Sequence, residues 1–212
     1  MERVYGWPVA HETGYPDLCG GEETLAEVIN YFNRDHRHTR AVLVNQWDWN
    51  GRFCGERMPA DMTFADVRRG TDLEFGLSIY EPFGISQFEG LSFGAICAVS
   101  NVCGCMGFAR KTMANATKWY KNIVEANFVN LPDDWLARTV EDLLAISIPQ
   151  RDQIETAEGR RVAPLLVDSL PRTDAQLQEL IDDGYDLARR MSWEHVVQDY
   201  FLPSLSRVSV AV

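Results

Sequence analysis

The chain has 212 residues, of which 46% are hydrophobic and 24% charged, so it can form one ordinary domain or one large lobe of a bigger enzyme. A net charge of −11 argues against a general nucleic-acid binder, which needs a basic surface to neutralise phosphates. The N-terminus has no apolar run of signal-peptide type, and no stretch has the character of a membrane span. Five cysteines form no recognisable disulfide framework, which favours a reducing compartment. We therefore expect a cytoplasmic protein without a membrane span.

The N-terminal part of the chain, residues 1–62, is predicted to be irregular apart from one helix and one strand. Residues 1–21 are rich in Gly, Pro and aromatic residues, which is typical of loops. Glu22–Asp35 is predicted to be a helix, because its apolar residues recur at the spacing of one helix face. The continuous apolar run Arg40–Gln46 predicts a strand that is buried on both faces. Trp47–Met62 is expected to be a loop.

Residues 63–130 predict the core of a parallel sheet. One or two helical turns are expected over Thr63–Arg69, and a short helix over Gln87–Phe93 that Gly94 closes in the left-handed conformation. Three further short apolar segments predict strands, at Leu73–Ile79, Ala95–Ser100 and Asn122–Phe128.

Residues 131–212 are predicted to be mainly helical, most clearly at Thr173–Met191. Thr173 and Gln176 have the spacing of a capping box at its start. One face of this helix is expected to pack against the core, through Leu177, Leu180, Ile181, Gly184, Leu187, Ala188 and Met191.

Two prolines are expected to limit helices in the same part of the chain. Pro164 argues against an uninterrupted helix over Gln150–Asp168, because proline lacks the N–H that a helix interior requires. A last helix is predicted to begin after Ser192 and to stop before Pro203.

Strands that alternate with helices predict an α/β fold, with a Rossmann-like parallel sheet flanked by helices and a helical C-terminal part. We expect residues 1–212 to form a single lobe. Ligands of such sheets bind beyond the carboxyl ends of the strands. The loop Glu81–Ser86 has this position and is the main candidate for a binding site. Asn45, at the end of the first predicted strand, is a lesser candidate.

The residue types of this loop suit a phosphorylated ligand that carries hydroxyl groups. Pro82 fixes its own φ and keeps Glu81 extended, and Gly84 allows a positive φ or a close approach of backbone to ligand. Residues 85–87 are expected at a helix N-terminus, where free N–H groups favour an anion. Glu89 falls on the first turn of that helix. Two carboxylates beside an anion site fit a nucleotide sugar, whose ribose and sugar ring offer diols next to phosphates.

The stretch Tyr80–Gly94 resembles the retaining two-lobed (GT-B) glycosyltransferases, the group that includes glycogen, starch and sucrose synthases. Their donor-binding C-terminal lobes carry a pattern close to E-P-F-G-x-x-x-x-E. The resemblance spans roughly residues 63–205 and is most specific over 70–100. The chain matches the pattern at Glu81, Pro82, Phe83, Gly84 and Glu89, and its surroundings at Gly70-Thr-Asp72, Ser78, Tyr80, Gly94 and Met191-Ser-Trp-Glu194.

The resemblance implies transfer of a hexose from a nucleotide diphosphate sugar to a glycan or other hydroxyl acceptor, with retention of configuration. Glu81 would contact the donor sugar near the transferring carbon and would be the catalytic residue, and Glu89 would hold the ribose hydroxyls. The backbone at Phe83, Gly84 and Ile85, with Ser86 at the helix start, would face the sugar and diphosphate. The resemblance implies no metal and no cofactor, because the leaving diphosphate is stabilised electrostatically.

Two departures from the family pattern leave alternatives open. The basic pair that clamps the diphosphate is not recognisable, although Arg3, Arg52 and Arg57 are possible substitutes. The acceptor site of such enzymes belongs to an N-terminal lobe, so turnover is expected to need a separate lobe. The alternative is a non-catalytic nucleotide-sugar-binding or assembly subunit. A sugar-nucleotide isomerase of similar fold ranks lower, because no characteristic His/Glu arrangement is recognisable.

Two other groups of residues have side chains that suit a site. The spacing of Cys97, Cys103 and Cys105 differs from that of zinc sites, so we expect buried apolar side chains. Trp47 and Trp49 could stack against a sugar, but a packed loop is the favoured interpretation.

Overall fold

The computed structural model describes residues 22–43, 59, 61–78, 81–116, 118, 120–129 and 139–209. The chain divides into two compact units, Met1–Val67 and Arg68–Val212, and each is described by itself. The single-lobe organisation predicted for the whole chain stays a prediction.

The first unit contains the predicted helix α1, which runs over Glu22–Asp35. The strand predicted at Arg40–Gln46 is wrong for residues 40–43, which form no strand, and residues 44–46 lie outside the described residues. The reason lies in Asn33, near the end of α1. Its side chain donates to the carbonyl of Ala41 and accepts from the N–H of Ala41, both at 2.8 Å. The side chain thereby occupies both backbone groups of Ala41 that a strand would use in a ladder. Helix α2, over Phe64–Arg69, begins one residue after the predicted start and contains the division between the units.

The second unit is built on a three-stranded parallel sheet. Its strands are β1 (Leu73–Gly76), β2 (Ile96–Ser100) and β3 (Ile123–Ala126), in the order β1-β2-β3. Leu73 pairs with Ile96, and Cys97 with Ile123. These three strands confirm predicted ones, although β1 and β3 are shorter than expected. The fold is therefore α/β with a small parallel sheet flanked by helices, roughly consistent with a Rossmann-like fold.

Every residue of β2 is buried, because helices cover both faces of the central strand. Alternate residues of a strand point to opposite faces. Accordingly, Cys97 and Val99 belong to a core cluster with Met106 and Leu187, whereas Ile96 belongs to a second cluster. That second cluster also contains Val124, Ala126, Val162 and Leu180.

The segment after β1 forms a short helix, α3, over Ser86–Glu89, followed by a 3₁₀ turn over Gly90–Phe93. Gly94 then closes the turn with a φ of 82°, as predicted. Helix α4, over Gly104–Ala114, was not predicted from the sequence. Its buried residues recur at helical spacing, namely Cys105, Met106, Ala109 and Thr112, but two glycines at its start obscure the pattern.

Helices α5 (Val140–Leu144) and α6 (Ile148–Ser169) come next, and α6 passes through Pro164 without interruption. The predicted interruption is therefore wrong. Pro164 and Arg160, whose carbonyl loses its helical donor, are both exposed, so water can satisfy that carbonyl.

Helix α7 spans Asp174–Arg190, close to the prediction. Thr173 caps it by accepting from the N–H of Gln176 at 3.2 Å, while the Gln176 side chain accepts from the N–H of Arg172 at 2.8 Å. Of the predicted packing face, Leu177 is 42% exposed, whereas Leu180, Gly184 and Leu187 are buried.

The last helical segment continues beyond the predicted stop at Pro203. It consists of α8 (Trp193–Val196), a π turn (Val197–Phe201) and α9 (Leu202–Ser209). The N–H of Leu202 donates to the carbonyl of Val197, five residues back, and Pro203 lies in the first turn of α9, where proline is tolerated. Among the helices of the described residues, none is both long and apolar enough to cross a membrane.

Glu158 on α6 should make stability depend on pH. Its buried carboxylate accepts from the N–H of Asn127 at 2.5 Å and from Nε of Arg161 at 2.8 Å. The Arg161 bonds, with that of Asn127, lower the pKa of the Glu158 carboxyl against the opposing effect of burial. A lowered folded-state pKa gives a stabilisation that is present above the ordinary pKa and lost as pH falls through the folded value.

We therefore expect Glu158→Gln to lower the free energy of unfolding by about 1–3 kcal/mol at pH 7, since a charge-assisted hydrogen bond is lost. The gap to the wild type should narrow as pH falls from about 5 to 3. Urea unfolding across that pH range measures the difference in the free energy of unfolding between variant and wild type. Glu155→Gln is the control, because Glu155 is an exposed residue of the same helix. A gap that is constant with pH would contradict the assignment.

Candidate functional site

The loop that follows β1 lies at the carboxyl edge of the sheet, against the start of α4. Glu81 forms an isolated parallel bridge with Cys103. The carbonyl of Glu81 accepts from the N–H of Gly104 at 3.1 Å, and that of Phe83 accepts from the N–H of Cys105 at 2.6 Å. Backbone N–H groups at a helix start have no partner within the helix. Here two loop carbonyls satisfy them, so α4 holds the loop in place.

Two glycines permit this close arrangement. A Cβ atom at Gly104 would lie 2.0 Å from the carbonyl oxygen of Pro82. Gly84 is buried and has a φ of 81°, as the sequence led us to expect, and a Cβ atom there would lie 2.6 Å from Oε1 of Gln87. Side chains at either position would therefore move the loop.

The predicted donor-binding residues Phe83, Gly84, Ile85 and Ser86 occupy one continuous turn. Phe83 is 51% exposed and Ile85 is 67% exposed, so this part of the surface is apolar. Ser86 begins α3, with Ile85 as the preceding cap residue. The hydroxyl of Ser86 donates to Oε1 of Gln87 at 3.1 Å. The turn therefore combines exposed apolar side chains with backbone groups at the start of a short helix.

Glu89 takes part in an ion-pair network that the sequence did not reveal. Nη2 of Arg68 lies 3.0 Å from Oε2 of Glu89, and Nη1 of Arg68 lies 3.4 Å from Oε2 of Glu74 in β1. The side chain of Glu89 is 51% exposed, whereas that of Arg68 is only 10% exposed. Burial raises the pKa of the Glu74 carboxyl, Arg68 opposes this shift, and Glu89 adds to it. The structure thus ties Glu81 and Glu89 to different neighbours, Cys103 and Arg68.

Two asparagines also lie at the carboxyl edge of the sheet. Asn101 follows β2, and its side-chain amide donates to the side-chain oxygen of Asn127, which follows β3, at 2.8 Å. Neither residue was nominated from the sequence, although Asn101 directly follows the predicted strand Ala95–Ser100, the kind of position that nominated Asn45. Asn45, the lesser candidate, lies outside the described residues, as do Tyr80, Trp47, Trp49, Arg3, Arg52 and Arg57.

The cysteines near the loop are buried and free, which confirms that they pack as small apolar side chains. Burial, with a smaller contribution from Glu81, raises the pKa of the Cys103 thiol. Burial and the adjacent Cys103 raise that of Cys105 to about 12. Such thiols are neutral at pH 7 and are poor nucleophiles. No group of three or more His, Cys, Asp or Glu residues suited to a metal occurs in the described part of the chain.

Comparison with models of known protein families gives no match, and comparison with curated proteins likewise gives none. The candidate site consists of a parallel-sheet edge, a glycine-dependent loop and two glutamates in different environments.

Proposed function

We propose that the chain is the donor-binding lobe of a retaining GT-B glycosyltransferase and that the loop Glu81–Glu89 binds a nucleotide diphosphate sugar. The observation that carries the proposal is the tight turn at the carboxyl edge of β1, where Gly84 has a positive φ and α4 holds the carbonyls of Glu81 and Phe83. Ligands of open parallel sheets bind at that edge. The turn also presents a half-buried carboxylate at its start and a half-exposed one at its end.

In this proposal Glu81 accepts hydrogen bonds from the sugar hydroxyls and favours the positive charge that develops at the transferring carbon. Glu89 accepts from the ribose diol. The exposed side chains of Phe83 and Ile85 form an apolar wall, and N–H groups of the turn face the diphosphate. The acceptor, a glycan or other hydroxyl compound, binds to a separate N-terminal lobe that also excludes water. No metal or cofactor takes part.

A non-catalytic nucleotide-sugar-binding or assembly subunit is the second candidate. The observation in its favour is that Arg68, the cation beside Glu89, already faces two carboxylates. Its charge is therefore not available to compensate a diphosphate, and without such compensation a lobe can bind donor without transferring its sugar.

Calorimetric titration with UDP-glucose, ADP-glucose and GDP-mannose tests donor binding. We expect the wild type to bind one of them, and Glu89→Gln to weaken binding at least about tenfold, since a hydrogen bond to a charged group is worth about 1.5–3 kcal/mol. Glu81→Gln should weaken binding of the sugar nucleotide but not of the corresponding nucleoside diphosphate. Glu155→Gln, on the exposed face of α6, should bind like the wild type.

Absence of binding to all three donors, or equal affinities of Glu89→Gln and the wild type, would overturn the proposal. The two candidates differ in turnover. A glycosyltransferase lobe supplied with its N-terminal partner and a glucan should release nucleoside diphosphate, whereas a binding subunit should not.

A further inference from the structure

The network around Arg68 connects a strand of the sheet to the end of the proposed donor loop. Arg68 lies at the end of α2, Glu74 in β1 and Glu89 at the end of α3. The guanidinium contacts both carboxylates, at 3.4 Å and 3.0 Å. An arginine presents its donors in a rigid planar fork, so it can fix the direction of two carboxylates at once.

Glu74 is itself held in place by the backbone beside Glu89. A Cβ atom at Gly90 would lie 2.7 Å from the Glu74 carboxyl carbon, so this carboxyl group packs against the glycine. The Oε1 atom of Glu74 is buried and has no hydrogen-bond partner among the described residues. Burying a charged group in this way is unfavourable unless a partner compensates it. Arg68 supplies that compensation and is thereby anchored on the side opposite Glu89.

We propose that Arg68 is a positioning residue that fixes the Glu89 carboxylate for recognition of a ribose diol, an inference that rests on the proposed function. Arg68 contacts Oε2 of Glu89, and we assign Oε1 as the acceptor for the ribose hydroxyls. A half-exposed glutamate without such a partner would lose side-chain freedom when the ligand binds. Ordering it beforehand removes that cost from binding. The network therefore selects ribonucleotides over deoxyribonucleotides.

The test compares the affinity for a nucleoside diphosphate with that for its 2′-deoxy analogue, using UDP, ADP and GDP as probes. The wild type should prefer the ribonucleotide about tenfold, as expected for one hydrogen bond to a charged group. Arg68→Met should lose most of this preference, and it should weaken binding of the deoxy analogue less than binding of the ribonucleotide, because the analogue keeps only the 3′-hydroxyl of the diol. Arg68→Lys should restore part of the preference, and Arg68→Met/Glu89→Gln should be no worse than Glu89→Gln alone, because the two residues act as one unit.

Arg110→Met is the matched control, since Arg110 forms an Arg–carboxylate ion pair with Glu125 at the exposed surface. It should keep the full ribose preference. Should Arg68→Met fail to fold, Glu74→Gln provides a second variant. It removes the charge that anchors Arg68 without changing the size of the side chain, and it should lower the preference by a smaller factor.

The outcomes separate the two proposals. Full ribose preference in Arg68→Met and Glu74→Gln, together with its loss in Glu89→Gln, would overturn the role of Arg68 and leave the proposed function intact. Full preference in Glu89→Gln, or no binding of any nucleotide by the wild type, would overturn the proposed function and this inference with it.

Discussion

Gly104→Ala is expected to lower the free energy of unfolding by about 3 kcal/mol or more, and to abolish the proposed donor binding, because overpacking against backbone forces structural shifts. The new Cβ atom would lie 2.0 Å from the carbonyl oxygen of Pro82 and 3.2 Å from Cα of Phe83. These are backbone atoms, so no side-chain rotation relieves the clash. The loop has to withdraw from α4, which breaks the hydrogen bonds from Gly104 to Glu81 and from Cys105 to Phe83.

Gly107→Ala is the matched control, because Gly107 lies in the same helix and a Cβ atom there meets nothing within 4 Å. Gly107→Ala should raise the free energy of unfolding by up to about 1 kcal/mol, because a helix intrinsically prefers alanine over glycine by that amount. Urea unfolding followed by circular dichroism gives both values, and calorimetry gives donor affinity. If Gly104→Ala unfolded at the same urea concentration as Gly107→Ala, the close contact between loop and helix would be refuted.

The parts of the fold that the sequence predicted correctly depend on local patterns. The strand β2 is a continuous apolar run, and the helices α1 and α7 have apolar residues at helical spacing, so short segments are sufficient to identify them. The left-handed closure at Gly94 and the positive φ at Gly84 follow equally from local turn chemistry. For the same reason the position of the loop, beyond the carboxyl end of a parallel strand, could be inferred before its contacts were known.

The missed features depend on side-chain contacts that no sequence pattern specifies. Arg68 is a functional candidate only because the fold brings Glu74 and Glu89 to its guanidinium. The strand predicted at Arg40–Gln46 is absent over residues 40–43 because the Asn33 side chain bonds the backbone of Ala41.

The local rules for proline and glycine in helices also failed, at two places where solvent exposure or a neighbouring segment stabilises the helix. The interruption expected at Pro164 does not occur because both that residue and Arg160 are exposed. Helix α4 was missed because its glycine-containing start is stabilised by loop carbonyls from another segment. Sequence patterns thus located the loop but did not reveal what holds it.

Gly184→Ala is the second substitution for which we expect a large effect, a loss of about 2–4 kcal/mol of stability from overpacking in the core. Gly184 lies in the middle of α7, where this helix packs against the 3₁₀ turn Gly90–Phe93. A Cβ atom there would lie 2.4 Å from the carbonyl oxygen of Leu91 and 2.9 Å from Nδ2 of Asn122.

Asn122 increases the cost of relaxing this contact. The residue is fully buried, and its Nδ2 atom donates to the carbonyls of Leu180 at 2.9 Å and Ala95 at 3.3 Å. A shift of Asn122 to accommodate the methyl group would weaken these bonds in a fully buried site, where an unsatisfied polar group costs about 1–3 kcal/mol. A shift of α7 instead would open the core around Leu187, which is also fully buried.

Gly159→Ala separates this steric effect from helix propensity, because Gly159 lies in the middle of α6 and a Cβ atom there meets nothing within 4 Å. Its stability should rise by up to about 1 kcal/mol, so the two substitutions should differ in sign. Urea unfolding measured on both variants and the wild type gives the comparison. Stabilisation by Gly184→Ala would mean that α7 does not approach Leu91 as closely as described, because helix propensity would then outweigh the contact.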